Sequence, residues 1–352
     1  MITVQFKILP TFEQEKLLSD SANEYINCVN QLVNALVATA TPAKLSSATV
    51  QASLPSAVKN EAINAAKSVV KKYRKDTTKV VPVLKKPVIT WNNQNYKLSG
   101  NTLSFPLWID GKSKRISVSV LTTEYQMGQL CGKFGSLRIT QKNGKWMAQI
   151  AVDVPSETAS GDAVLGVDLG LKVPAVVVTN KGKTRFFGNG RQIKYMKRKY
   201  RSKRKALGKS KKQHAIKKLN NKEQRWMKDQ DHKVSRQIVD FAKNNSVSEI
   251  HLEQLQNIRN TARTSRKNAK SLHTWSFYRL AMFVAYKAEM LGIKVVSVNP
   301  KYTSQTCPSC GERNHAKDRQ YRCKCGFKSH RDRVGAMDII HAPVASGKRK
   351  PA

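Results

Sequence analysis

The sequence predicts an α+β chain of several domains: an N-terminal antiparallel β-barrel with an inserted helical bundle, then an α/β domain carrying a metal-clipped insertion. Three observations carry this reading. Apolar residues alternate as in strands over 1–9 and 80–154, but recur at helical spacing between those segments. After the polar stretch PSETASGDA the pattern changes to near-continuous apolar strands alternating with helices. Four of the six cysteines then fall in two close pairs near the C-terminal end.

Composition narrows the partners. The 352 residues suffice for two or three units with cores of their own. No run of about 18 apolar residues is present, so no membrane-spanning helix is expected. Sixty-four Lys and Arg against 23 Asp and Glu leave a formal charge of +41, spread along the whole chain. A polyanion is the natural partner, and nucleic acid the first candidate, bound with a steep dependence on salt. A ribosomal or histone-like charge carrier has the same balance, but does not call for carboxylates at strand ends.

MITVQFKIL alternates as the first strand, and Thr11 after Pro10 is the expected N-cap of a helix. Leu18, Ala22, Tyr25, Val29, Leu32 and Leu36 form one apolar stripe of that helix. A second helix is predicted from Ser56 to Tyr73, ending in the basic run KKYRK. From Val80 to Val154 short strands (TLSFPL, KRISVSV, KWMAQIAVDV) are broken at Ser99-Gly100 and Asn143-Gly144, read as hairpin turns. Trp91, Tyr96, Trp108 and Trp146 have the chemistry to stack on bases, but aromatics at strand spacing more often fill a core. Cys28 and Cys131 read as small core residues.

The main boundary is expected near residue 158. LGVDLGLKVPAVVVTNKGKTRFF then reads as two apolar strands, an Asn180-Lys181-Gly182 turn and a third strand. Between Arg191 and Arg225 lies a helical, densely basic run, with Tyr195, Tyr200 and Leu207 as its weak apolar side. Charge this dense repels itself unless an anion lies alongside. An amphipathic helix from Trp226 to Asn244 turns Val234, Ile238, Val239 and Phe241 inward and leads to the strand EIHLE. QLQNIRNTARTSRKNAK reads as a mobile loop, Trp275 to Leu291 as a helix, KVVSVNP as a strand, and PVASGKRKPA as a disordered tail.

Cys307 and Cys310, then Cys323 and Cys325 after a twelve-residue spacer, have the spacing of a closed tetrahedral zinc site. Four thiolates leave no position for water, so such a zinc staples the fold. The alternative is two disulfides in a secreted protein. No apolar signal segment opens the chain, and the many lysines suit an intracellular site.

Asp168 interrupts an apolar strand, Glu253 ends a later one, and Asp332 opens the last helix. An ionised carboxylate inside an apolar strand costs several kcal/mol unless a cation holds it. Two divalent ions about 4 Å apart, held by carboxylates on neighbouring rigid elements, can assist hydrolysis of a phosphodiester, and magnesium prefers such oxygen ligands. Each residue alone is weak evidence: an Asp at a helix start is most often a plain cap.

GVDLG at 166–170, HLEQL at 251–255, YTSQTCPSCG at 302–311 and YRCKCGFKSHRDRVGAMDII at 321–340 resemble the TnpB proteins of insertion sequences. They are similar also to the compact type V CRISPR effectors thought to descend from them. The resemblance covers residues 160–341, and the order of barrel, inserted helices and nuclease domain matches before it. It implies an RNA-guided DNA endonuclease with one ribonuclease H-like domain of the RuvC type. In that reading Asp168, Glu253 and Asp332 are the catalytic residues and hold two Mg²⁺ ions, while Cys307, Cys310, Cys323 and Cys325 hold a structural Zn²⁺.

The implied domains are a wedge-like β-barrel (1–10 and 76–158), a helical recognition domain (11–75), the RuvC-like domain (159–300 and 329–342), the zinc ribbon (301–328) and a tail (343–352). The implied partners are a guide RNA transcribed from the element's own end and double-stranded target DNA beside a short flanking motif, both strands being cut by one site. A cytoplasmic monomer, associated with the nucleoid when bound, is expected.

Three rivals remain at this point. One is a compact CRISPR effector loaded with a crRNA, against which the chain's length speaks. Another is an RNA-guided DNA-binding regulator without cleavage, against which the three acids speak. The third is a strand-joining transposase, whose HUH or catalytic Tyr motif is missing. Two departures stand out: Val334-Gly335-Ala336 replaces the Asn-Ala-Ala of many relatives, and Asp338 stands where Asn is frequent. Asp338 is expected to be a solvated helix residue rather than a ligand.

Overall fold

The computed structural model describes residues 1–39, 45–77, 80–155, 158–159, 161–219, 221–255, 272–316 and 318–345. The chain divides into two compact units, Met1–Pro155 and Ser156–Ala352. The loop expected at 254–270 lies, beyond Leu255, outside the described residues, as does the tail beyond 345. No helix among the described residues is long and apolar enough to cross a membrane.

The first unit is a seven-stranded antiparallel sheet in the order β2-β6-β7-β1-β5-β4-β3. Its strands are β1 (Ile2–Leu9), β2 (Val88–Trp91), β3 (Lys97–Ser99), β4 (Thr102–Ile109), β5 (Lys112–Leu121), β6 (Lys133–Lys142) and β7 (Lys145–Asp153). Inward residues alternate along each strand, as Val4, Phe6 and Ile8 do in β1. The sheet curls rather than closing by hydrogen bonds: β2 and β3 are its edges among the described residues. The curl carries edge strand β2 over β4, where the Trp91 indole N–H donates to the Pro106 carbonyl at 3.0 Å and its ring meets Phe105. The barrel read from the sequence is therefore an open, curled sheet.

Helices α1 (Phe12–Ala38) and α2 (Ser56–Lys75) fall between β1 and β2 in the chain and share the core of the sheet. Thr11 caps α1 in a capping box with Gln14, and the expected stripe from Leu18 to Leu36 is buried. Trp91, Tyr96 and Trp146 fill the core, while Trp108 is half-buried. Asp110-Gly111 makes a two-residue hairpin like that of Asn143-Gly144, both residues of each pair having positive φ. A six-residue helix, α3 (Glu124–Gln129), escapes the periodicity because one and a half turns carry no apolar face. Cys28 is buried as expected, but Cys131 is exposed where the chain leaves α3, its thiol donating to the Gly128 carbonyl.

The second unit is built on a five-stranded sheet in the order β10-β9-β8-β11-β12. Strands β8 (Ala163–Leu169), β9 (Ala175–Thr179) and β10 (Thr184–Phe187) are antiparallel; β11 (Val247–Glu253) and β12 (Lys294–Val298) run parallel to β8. The basic run forms α4 (Gly190–Lys209) and α5 (Gln213–Leu219), and α6 (Lys222–Asn244) follows. After β11 come α7 (Phe277–Met290), β12, the hairpin β13 (Gln320–Arg322) and β14 (Lys328–His330), and α8 (Arg331–His341). The expected tail is ordered at its start: Val344 bridges Val298, and the Ala345 N–H donates to the Ser297 carbonyl.

Strand alternation sorts the two faces of this sheet. Leu165, Val167 and Leu169 of β8 and Ile250 and Leu252 of β11 point to one face, under Val234, Ile238 and Val239 of α6 and Leu280 and Val284 of α7. Two buried polar ties join those helices: Asp231 accepts from Arg279 at 2.6 Å and from Ser276, and Lys287 donates to Ser235 and the His232 carbonyl. The opposite face holds the alternate residues of β8 and β11, Gly166, Asp168, His251 and Glu253, and is covered by α8. Gly166 permits this contact, because a Cβ there would stand 2.0 Å from the Ala336 carbonyl oxygen of α8.

Gly166→Ala should therefore lift α8 from the sheet and cost about 1–3 kcal/mol of stability. A thermal melt of the variant indistinguishable from that of the parent would show that α8 is not seated on this glycine.

Candidate metal centres and catalytic face

Asp168 is the penultimate residue of β8, and Glu253 the last of β11. The two strands are parallel neighbours in register Val167 with Leu252, so the next pair along is Asp168 beside Glu253. Adjacent strands lie about 4.8 Å apart, and both side chains point to the α8 face at the carboxyl ends of the strands. Open α/β sheets place their ligand sites at such ends, where the strand order reverses. Here β8 is the turning point between the antiparallel and parallel halves.

Asp332 arrives from the other side, in the first turn of α8. It is not the cap: His330 is, its Nδ1 accepting the Asp332 backbone N–H at 3.2 Å. The Asp332 carboxyl therefore takes no part in capping the helix. Burial, then Glu253, then Asp332, push the Asp168 carboxyl well above its usual range, against the pull of Arg331 and Arg319. The other two acids read from the sequence, Glu253 and Asp332, thus lie within electrostatic reach of Asp168. Burial also raises Glu253, opposed by a hydrogen bond from the Thr303 hydroxyl.

Two neighbours of this cluster were not singled out by the sequence. Thr303, 6% exposed, donates to Glu253 Oε1 and comes from the turn before the first cysteine pair. Arg319, just ahead of β13, lays Nη1 across both oxygens of Asp332, at 2.6 Å from Oδ1 and closer still to Oδ2. Thr303 lay inside a quoted motif, YTSQTC, without an assigned role; Arg319 carried no signal beyond being one of 64 basic residues.

The donor chemistry suits hard divalent cations, since Glu253 and Asp332 both act on Asp168 and positive charge relieves such repulsion; among the described residues, only the four cysteines are already drawn together at metal-holding distance. Val334-Gly335-Ala336 is accommodated in detail. Val334 is buried against Cys307, Tyr321 and Cys323, Ala336 packs on Val176 and Val178, and Gly335 faces Asp168, where a Cβ would sit 3.0 Å from Oδ2. Asp338 departs from the solvated role expected of it. It is half-buried, its Oδ2 is sealed without a hydrogen-bond partner, and burial pushes its carboxyl up to about 7. Its charge bears on Tyr321.

The four cysteines form a separate centre. Their sulfurs all lie within 4.8 Å of one another, with Cys307–Cys325 at 3.7 Å and Cys310–Cys323 at 3.5 Å. A tetrahedron with metal–sulfur bonds of about 2.3 Å has edges of about 3.8 Å, so the set fits zinc. All four are free thiols, which sets aside the disulfide alternative. The pairs sit on knuckles: Gly311 N–H donates to the Cys307 carbonyl and Gly326 N–H to that of Cys323, both glycines at positive φ. The backbone N–H of Cys325 is first among the contacts that hold the Cys323 thiol down to about 6, while Cys310, against the pull of the Glu312 backbone, is pushed up to about 12 by burial and the neighbouring thiols.

Residues 148–259 match a family model described as a probable transposase, and residues 277–339 match that of the Cas12f1-like TNB domain. The CRISPR-associated endodeoxyribonuclease Cas12f1 of Sulfoacidibacillus thermotolerans is 27% identical over 257 residues, covering 67% of this chain and 58% of that protein. A TnpB-like protein of Methanocaldococcus jannaschii is 33% identical over 128 residues, 36% of this chain and 46% of that one. This chain thus spans about half the length of the relatives it matches. Among solved structures, Cas12f1 in a complex with sgRNA and target DNA superposes with a TM-score of 0.68 at 16% identity, over 92% of this chain and 81% of that one, a likeness of fold.

The raised Asp168 carboxyl sets a pH dependence. A carboxyl elevated by folding contributes stability that is full below its ordinary, unfolded range and lost as pH rises through the folded value, at about 1.4 kcal/mol per unit of elevation. In the magnesium-free chain, Asp168→Asn should therefore gain stability over the parent at neutral pH, with the gain vanishing as pH falls. Thermal melts in magnesium-free buffer across pH, with the ribbon's zinc retained, measure it, and a difference that did not vary with pH would contradict the elevation.

Proposed function

We propose that this chain, a relative of the TnpB-like and Cas12f1 proteins, is a metal-dependent, RNA-guided DNA endonuclease with a single site of the RuvC type. The observation that supports the reading is that Asp168, buried at a strand end, is raised by burial and by the neighbouring acids Glu253 and Asp332, so that it cannot ionise cheaply without added positive charge.

Asp168, Glu253 and Asp332 would hold two Mg²⁺ ions. When bound, such a pair supplies a nucleophile at neutral pH and takes up charge on the leaving oxygen of a phosphodiester. The chain's own residues set the geometry for this. Thr303 fixes the rotamer of Glu253 through its hydroxyl. The register of β8 with β11 fixes the spacing of the two strand-end acids. Arg319 holds Asp332 and, with Arg331, brings to the site positive charge suited to the negative charge on the phosphoryl oxygens. The zinc ribbon would act structurally, bracing Asp332 through Val334, which packs beneath Tyr321 and Cys323.

Guide RNA and double-stranded DNA are the proposed partners, in keeping with the +41 charge. Helix α4 is densely basic; its Lys197 is tied to Thr274 at 2.7 Å, and Tyr195 is exposed. Base pairing with the guide would supply sequence specificity, while the protein holds the heteroduplex by its backbone and reads a short flanking motif. The proposed setting is the cytoplasm, near the nucleoid, and the proposed state a monomer.

The test is a plasmid-cleavage assay with the RNA that co-purifies with the chain, at graded magnesium. Cleavage of both strands by the parent is expected, with Asp168→Ala reduced to background while guided DNA binding is retained. An intact plasmid at every magnesium level would leave only guided binding, and nicking retained by Asp168→Ala would show the site to be misplaced. Sequencing the RNA decides its source: one transcript from the element's own end is expected, and random host transcripts would contradict a guide.

A further inference from the structure

Between β12 and the first cysteine pair the chain turns sharply through Lys301–Thr306. Tyr302 takes the left-handed conformation there, with φ 66. A bulky side chain in that region costs on the order of 1–3 kcal/mol, and such strain clusters at ligand-handling sites. The turn is closed by the Tyr302 carbonyl, which accepts the N–H groups of Gln305 at 2.8 Å and Thr306 at 3.1 Å. The ring is left outside, 46% exposed. Arg313 lies over it, the guanidinium carbon 3.7 Å from the ring centroid.

The loop does not need this stack to keep its shape. An antiparallel bridge joins Thr306 to Arg313, Asn314 N–H donates to Gln305 O at 2.7 Å, and Cys307 N–H to Glu312 O at 2.9 Å. Nor is the stack remote from the acids. The next residue, Thr303, is the one whose hydroxyl holds Glu253. Consecutive Cα atoms are about 3.8 Å apart, so the exposed pair stands at the margin of the catalytic face.

We propose that the Tyr302–Arg313 stack is a nucleobase platform, a subsite that receives one base of the unpaired DNA strand beside the phosphodiester being cut. A π-face and a guanidinium plane are the two surfaces on which unstacked bases settle without regard to sequence. The positive charge of Arg313 suits the phosphate of that nucleotide. Strand passage through a single site requires sequence tolerance, and stacking provides it where hydrogen-bond readout would not. The platform rests on the nuclease reading for its role in cutting, but not for its capacity to stack.

The test uses the full chain with its co-purified RNA and target strands carrying 2-aminopurine at successive positions around the cut, with Ca²⁺ in place of Mg²⁺ so that nothing is cleaved and the ribbon keeps its zinc. Fluorescence quenching at one or two adjacent positions is expected, lost in Tyr302→Ala and kept in Tyr302→Phe. Arg313→Ala should weaken it, with zinc content and melting unchanged. The same probe in the guide RNA should not respond to Tyr302; a response there instead of in DNA would overturn the assignment. In magnesium, Tyr302→Ala should lower kcat/KM by about ten- to a hundredfold, the worth of one stacked base. Quenching equal in parent and Tyr302→Ala, or the absence of any quenched position, would overturn the platform. Quenching that depends on Tyr302 in a chain that never cuts would uphold the platform and defeat the nuclease reading.

Discussion

Repulsion among three carboxyls at the edge of an apolar core is the constraint on which the second unit depends. Asp168 is carried on a strand whose other face is sealed by α6 and α7, so it has no route to bulk water on that side. Its remaining surroundings contain two further acids and two arginines. A cluster of this kind opposes folding unless cations enter it. Stability spent on such a cluster is characteristic of sites that must bind charge rather than of sites that hold a fold together.

The rest of the unit serves to hold those acids against their repulsion. Parallel pairing of β8 with β11 sets two of them side by side, and the close seat of α8 on Gly166 delivers the third. The ribbon reaches the same cluster twice, through Thr303 on Glu253 and through Arg319 on Asp332. A residue ahead of both cysteine pairs and one between them thus contact different acids, and a structural metal held by those pairs would order both contacts at once. His251, two residues before Glu253, adds a further tie, its ring lying between Glu249 and the Ile339 carbonyl of α8.

The sequence made legible whatever has a short-range cause. The α1 stripe, the Thr11 cap, the Asn143-Gly144 hairpin and the paired cysteines follow from spacing within a few residues, and the structure bears them out. Asp168 was visible because an acid inside LGVDLG breaks a strong local pattern. Glu253 and Asp332 were not interpretable without the family resemblance, since a strand-end Glu and an N-terminal helical Asp are ordinary. What stayed hidden depends on contacts distant in the chain. Arg319 acquires its partner only when the hairpin folds back on α8, and Asp338 is sealed by packing that no helical period reveals. The openness of the first sheet is likewise a matter of edge pairing, which strand alternation does not encode. Cys131 misled because a cysteine in a mixed segment resembles a core residue until the chain's exit from α3 is known.

The claim that the acids share cations can be put to one measurement. Crystals of the full chain soaked in Mn²⁺ and measured at the manganese absorption edge should show two anomalous peaks about 4 Å apart, both touching Asp168, with Glu253 on one and Asp332 on the other. No peak among these carboxylates, at a Mn²⁺ concentration that supports cleavage, would contradict the account.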